Sequence, residues 1–157
     1  MKIITLLSIA FLLIFNACSG SESEKSTSLK TGKYSYVISD SLGTSLVEGE
    51  MSVVNITKQK ATGDENDYEV TGSYTITKNT ADTSYQGFST MTGGELKGYY
   101  NDKKKFININ TNPKIADANV FINAFVKSKN LEGGWHYSTF RGTHNEGGLF
   151  KALYLKK

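Results

Sequence analysis

The side chains best suited to chemistry are few and scattered along the chain. Histidine occurs only at positions 136 and 144. An imidazole moves protons near neutral pH, but His136 alternates onto a strand and His144 falls in a loop. Nothing in the spacing gathers them with Glu146 or Asp117 into an acid–base set. Glu48 and Glu50 share the outer face of one strand. They solvate that face and do not oppose each other across a substrate, as a glycosidase pair must. The run Lys103-Lys104-Lys105 follows Asn101-Asp102 in a turn. It reads as a solvated turn, with an anionic lipid head group as the alternative ligand. The segment Asn108–Asp117 is rich in oxygen ligands but holds one carboxylate, too little charge for calcium. Side-chain to backbone hydrogen bonds of an Asx-turn loop explain it better. A single Cys, at position 18, excludes an intramolecular disulfide framework and a Cys-based zinc site. The sequence contains no nucleophile elbow, phosphate-binding loop, His-Glu-x-x-His or EF-hand loop. The expectation is a protein without catalysis, metal or cofactor. A formal net charge of +3 is too weak to indicate nucleic acid as a partner.

The elements that position these residues read as β-strands. In Tyr68–Thr77, positions 68, 70, 72, 74 and 76 form one face, while Glu69, Thr71, Ser73, Thr75 and Thr77 form a wet one. Seven further segments alternate less cleanly: Lys33–Ser39, Ser45–Lys58, Glu95–Tyr100, Lys105–Asn110, Asn119–Lys127, Gly134–Arg141 and Gly148–Leu155. Turn sequences separate most of them, at Asp40–Gly43, Thr62–Asp67, Asn101–Lys104 and Gly142–Gly147. Short links join antiparallel neighbours. A long meander with one apolar face must cover that face and its edges, and closure does both. The expected fold is all-β, an eight-stranded antiparallel up-and-down barrel over residues 32–157, with a two-sheet sandwich as the alternative. In Ser45–Lys58 the apolar parity changes, which predicts a bulge near Val53-Val54. Lys114–Ala118 is the one candidate for a helical turn in the body of the chain. Phe121 and Phe125 lie opposite Val120, Ile122 and Val126, so with Tyr99 they are candidate outer aromatics for a partner.

Gly49, Gly72 and Gly98 each interrupt the apolar face at mid-strand. Pairing Gly49 with Gly72, and Gly72 with Gly98, would align all three. One reading is a missing wall that leaves space for a small apolar ligand, with Tyr74 and Tyr100 beside it. The other is mechanical, the glycines permitting sharp coiling while those rings cover them. An eight-stranded interior holds side chains or one small ligand. The last hairpin adds Trp135, Tyr137 and Arg141 on one face. Arg141 is the only Arg of the chain. Its flat guanidinium suits stacking on Tyr137 or forking onto a carboxylate.

The chain starts with Met1-Lys2 and a mostly apolar run from Ile3 to Phe15, then Asn16-Ala17-Cys18. The run is too short for the ~20 apolar residues of a membrane span and has the form of a secretory signal. Phe15-Asn16-Ala17-Cys18 resembles the lipobox of bacterial lipoproteins. The resemblance implies removal of residues 1–17 and lipidation of Cys18, whose acyl chains would hold the protein on a membrane. Residues 18–31 then read as a flexible tether, since Ser19–Ser28 carries no apolar side chain. Ser19 does not call for inner-membrane retention, and Glu22 and Glu24 resemble the acidic export tether of Bacteroidota lipoproteins. Asp40-Ser41-Leu42 resembles the O-glycosylation motif of the same group and makes Ser41 a candidate acceptor. With Gly32-Lys33-Tyr34 on the first strand and a late Arg, the barrel is similar to lipocalins in architecture. The expected protein is a lipid-anchored barrel of a Gram-negative outer membrane. It would bind a small apolar ligand or an envelope protein, or else serve as an accessory subunit or an inhibitor of immunity type.

Overall fold

The computed structural model describes residues 28–59, 66–89, 91, 93–140 and 146–156. The expected signal (residues 1–17) and Cys18, and likewise Arg141 and His144, lie outside the described residues. Eight strands follow one another around a closed antiparallel barrel: β1 (Gly32–Ser39), β2 (Ser45–Lys58), β3 (Asp67–Asn79), β4 (Gly94–Asn101), β5 (Phe106–Asn110), β6 (Asn119–Lys127), β7 (Asn130–Ser138) and β8 (Gly147–Tyr154). β1 pairs with β8, from Tyr34 opposite Tyr154 to Ser39 opposite Leu149, and this seam leaves no free edge. The up-and-down barrel is therefore the fold, and the sandwich is not.

Alternation fills the barrel. Tyr34, Tyr36 and Ile38 point inward from β1, Ile107 and Ile109 from β5, and Leu131 and Trp135 from β7, all buried. The parity change in β2 is a bulge: the register to β3 shifts between Val53 and Asn55, and Val54 is left outside. β7 begins at Asn130, four residues before the start read from the alternation, because a two-residue link at Ser128-Lys129 joins it to β6. Lys114–Ala118 forms no helix; a turn closes there, where the Ile115 N–H donates to the Asn112 carbonyl at 3.2 Å. The helical turn lies elsewhere, at α1 (Gln86–Ser89) in the long β3–β4 connection.

Both ends of the barrel are stoppered. At one end, here called the mouth, Phe88 of α1 is buried against Trp135, with ring centroids 4.4 Å apart. The Trp135 indole N–H donates to the Ser39 carbonyl at 2.8 Å. At the opposite end Leu29, read from the sequence with the tether, is buried. Three phenols fix the incoming chain there. Tyr34 donates to the Lys30 carbonyl at 2.7 Å, Tyr154 donates to the Thr31 carbonyl at 3.3 Å, and Tyr100 accepts from the Leu29 N–H at 3.4 Å.

Candidate functional site

The three mid-strand glycines do not form a row. Gly72 stands opposite Val53, four residues from Gly49, and Gly98 stands opposite Val70, two residues from Gly72. The bulge in β2 and the stagger of the strands displace them. Nor do Tyr74 and Tyr100 cover them. Tyr36 lies over Gly49, donating from its phenol to the Thr75 carbonyl at 3.1 Å, and Leu96 lies beside Gly72. A Cβ at Gly49, Gly72 or Gly98 would meet a backbone oxygen of the neighbouring strand, of Thr75, Ser52 or Asn108 respectively, at under 3.0 Å. The glycines therefore let neighbouring strands close on one another where the sheet coils tightly, as the mechanical reading has it.

The lumen is packed. Between Tyr36, Met51, Tyr74, Leu96, Ile122 and Phe150 the free space is about 10 Å³, less than a small apolar ligand needs. Tyr36, Tyr74 and Tyr100 are all pushed above the ordinary phenol pKa, chiefly by burial.

Space opens at the mouth instead. A cleft of about 240 Å³ lies between the returning β3–β4 connection and the β5–β6 loop. Tyr74, Met91 and Val120 line its apolar side, and Thr111, Asn112 and Glu95 its polar side. Thr111 is buried; its hydroxyl donates to the Val120 carbonyl at 2.9 Å and is hydrogen-bonded to the Tyr74 phenol. Glu95 on one bank and Lys114 on the other form an ion pair of 3.0 Å, both largely exposed. Such a pair contributes little to stability, so it is easily exchanged for contacts with a ligand. Of the ligand-binding candidates read from the sequence Tyr74 lines this cleft, together with Thr111, Asn112 and Lys114 of the oxygen-rich segment. Tyr100 sits at the Leu29 end, Trp135 beneath α1, and Tyr137 against Gly87. Alternation exposed the inward tyrosines, but the cleft depends on the course of the β3–β4 connection, which no periodicity predicts.

The remaining candidates have simple surroundings. Glu48 pairs with Lys78 at 2.9 Å on the outer wall, and that pair together with Ser45 lowers its pKa. Asp40 takes the N–H groups of Leu42 and Thr44 onto one oxygen at 2.9 and 2.8 Å, which leaves Ser41 exposed at the tip of the β1–β2 turn. In the oxygen-rich segment Asn110 closes an Asx turn onto the Asn112 N–H at 2.8 Å. His136 faces outward, stacked on Phe121 with centroids 5.4 Å apart. Among the described residues no three His, Cys, Asp or Glu side chains gather as a metal site would require, and no helix is long and apolar enough to cross a membrane.

Outside the barrel, Tyr99 and Phe125 are each 52% exposed. Phe106 meets Phe125 edge-on with centroids 5.3 Å apart. The small closed barrel is compatible with a non-catalytic binding role. Comparison of the chain with protein-family models, with curated proteins and with solved structures found no match.

Proposed function

We propose that this protein is a non-catalytic binding barrel, held by lipid on Cys18 at the outer membrane of a Gram-negative envelope, that takes a small amphipathic molecule at its mouth. The observation that carries the reading is the cleft of about 240 Å³ above a lumen with about 10 Å³ to spare. A ligand would lay apolar surface on Tyr74, Met91 and Val120 and turn its polar end to Thr111, Glu95 and Lys114. The lipid anchor draws on Ala17-Cys18 after the mostly apolar run Ile3–Phe15. The described chain enters the barrel at Leu29, at the end opposite α1.

Two experiments test the two parts. Labelled palmitate enters the full chain in cells and fails to enter the Cys18→Ala variant; no label in the parent ends the anchor. Soluble fatty acids, haem and bile-like amphiphiles are titrated into the folded domain by NMR. Amide shifts at Tyr74, Thr111 and Val120 are expected, and the Gly94→Leu variant abolishes them. An added side chain at Gly94 meets nothing within 4 Å and so enters open space. No shift with any amphiphile ends the ligand reading. A macromolecular partner is the second reading, favoured by the exposed rings of Tyr99 and Phe125 on the outer wall, with Phe121 half-buried beside them.

A further inference from the structure

The two ends of the barrel differ in charge. An antiparallel meander brings every second connection to the same rim. The rim that holds Leu29 therefore gathers the start of β1, the end of β8 and the β2–β3, β4–β5 and β6–β7 connections. Each of these carries at least one exposed lysine among the described residues: Lys30, Lys156, Lys58, the neighbours Lys103 and Lys104, and Lys129. None of these six ammonium groups is in an ion pair.

The described acids of this rim are already engaged. Asp67 accepts from the Asn101 amide at 2.7 Å, and Asp102 accepts from the Tyr100 phenol at 2.7 Å and pairs with Lys105 at 3.0 Å. Lys127 is matched by Glu132 at 2.7 Å. Residues 60–65 add one Lys, one Asp and one Glu to the sequence of the β2–β3 connection, too little to cancel six free cations. The mouth has the opposite sign. Its described connections carry Asp40, Asp82, Asp117 and Glu146 without a paired cation, while Lys78 and Lys114 are matched by Glu48 and Glu95. The modest net charge of +3 thus conceals a polarised molecule.

We propose that the Leu29 rim docks on the surface of an anionic lipid bilayer. A ring of cations around a blunt end meets a flat surface all at once. A nucleic-acid strand instead follows a groove and stacks its bases on aromatic side chains. All six cations are Lys, whose compact hydrated charge suits a fluid layer of head groups better than the fixed fork of Arg would. Each lysine brought to an anionic bilayer strengthens binding about fivefold. The acidic mouth is repelled, so the two ends together select one orientation, with the mouth cleft open to solvent. The docking belongs to the folded barrel and does not depend on lipid at Cys18.

The test uses the chain from Ser19 onward, which contains every described residue of the closed barrel. It lacks the apolar run and Cys18, so this experiment and palmitate labelling fail independently. The protein sediments with vesicles of phosphatidylcholine and phosphatidylglycerol in equal parts, stays in solution with phosphatidylcholine alone, and is released as salt is raised. Lys103→Gln with Lys104→Gln weakens binding at least about tenfold, and so does Lys129→Gln with Lys156→Gln. Lys78→Gln with Lys151→Gln removes the same net charge away from the rim and leaves binding within about twofold of the parent. Circular dichroism checks that each double variant keeps the barrel. Absence of sedimentation with the mixed vesicles, equal binding to phosphatidylcholine alone, or equal loss in all three double variants overturns the proposal. So does binding to a duplex oligonucleotide as tight as to the mixed vesicles at equal phosphate.

Discussion

The ring of Phe88 stands at 60° to the indole of Trp135, with centroids 4.4 Å apart and both side chains buried. A helix of four residues has no stability of its own. This edge-on contact is what fastens α1 across the mouth, helped by the Asn79 amide, which donates to the Phe88 carbonyl at 2.9 Å. Phe88→Ala removes the stopper and leaves a cavity, a change that costs about 3–5 kcal/mol in a well-packed core. Urea unfolding measures the loss. Trp135 is the single tryptophan, so its emission moves to the red in the folded variant and becomes open to quenching by acrylamide.

The glycines separate into two kinds. At Gly133 a Cβ would meet the Asn123 carbonyl oxygen and the Ala124 Cα at under 3.0 Å, all backbone and unable to yield. At Gly94 it would meet nothing within 4 Å. Gly133→Ala is expected to destabilise by about 1–3 kcal/mol or more, as overpacking does. Gly94→Ala is expected to be neutral within about 0.5 kcal/mol. Equal melting temperatures for the two variants would refute the close-approach account.

Ser128 opens the β6–β7 link with φ 59°. A left-handed φ costs an L-residue about 1–2 kcal/mol and glycine nothing, and hairpins with such a first position favour Gly. Ser128→Gly should raise stability by about 1 kcal/mol, partly offset by the greater freedom it gives the unfolded chain. Thermal unfolding of the variant checks the sign.

Stability should fall at both extremes of pH. Side-chain or backbone hydrogen bonds hold Asp40, Asp82, Asp102, Glu48 and Glu132 below their ordinary carboxylate range. A lowered folded-state pKa adds stability above the unfolded value, and that stability is lost as pH falls through the folded one. The decline begins near the ordinary values of 3.8 and 4.5 and deepens below them. At the alkaline end burial pushes the Tyr34 phenol up to about 12. A raised value keeps its full contribution below the ordinary 10.0 and loses it as pH climbs towards 12. Phenolate absorbance should therefore rise together with loss of the β-sheet dichroism between these limits; independent titration of all tyrosines near 10 would contradict the burial.

Most strands were legible because alternation is strong where one face is buried and the other wet. Tyr68–Thr77 is the plainest case, and the bulge at Val53-Val54 showed itself as a change of parity. The start of β7 was hidden because Ser128-Lys129 carries none of the Gly, Asn or Pro that mark a turn. α1 was hidden because Gln86–Ser89 is shorter than the period that reveals a helix; Phe88 docks by tertiary contact alone. The glycine register was misread because each bulge shifts every pairing beyond it. The mouth cleft lies between a connection and a loop, where no repeating pattern reports position. On β6 Phe121 and Phe125 stood out in the sequence as outer aromatics, but their ring partners His136 and Phe106 lie on neighbouring strands that only the register brings beside them.

The seam between β1 and β8 joins Tyr34 to Tyr154. Neighbouring hairpins can zip locally, but this last join waits for β8 to be made. Contacts so distant along the chain slow folding. During synthesis the ribbon stays open, with two unprotected edges vulnerable to wrong pairing. Loss of the final strand would leave a curled sheet prone to self-association.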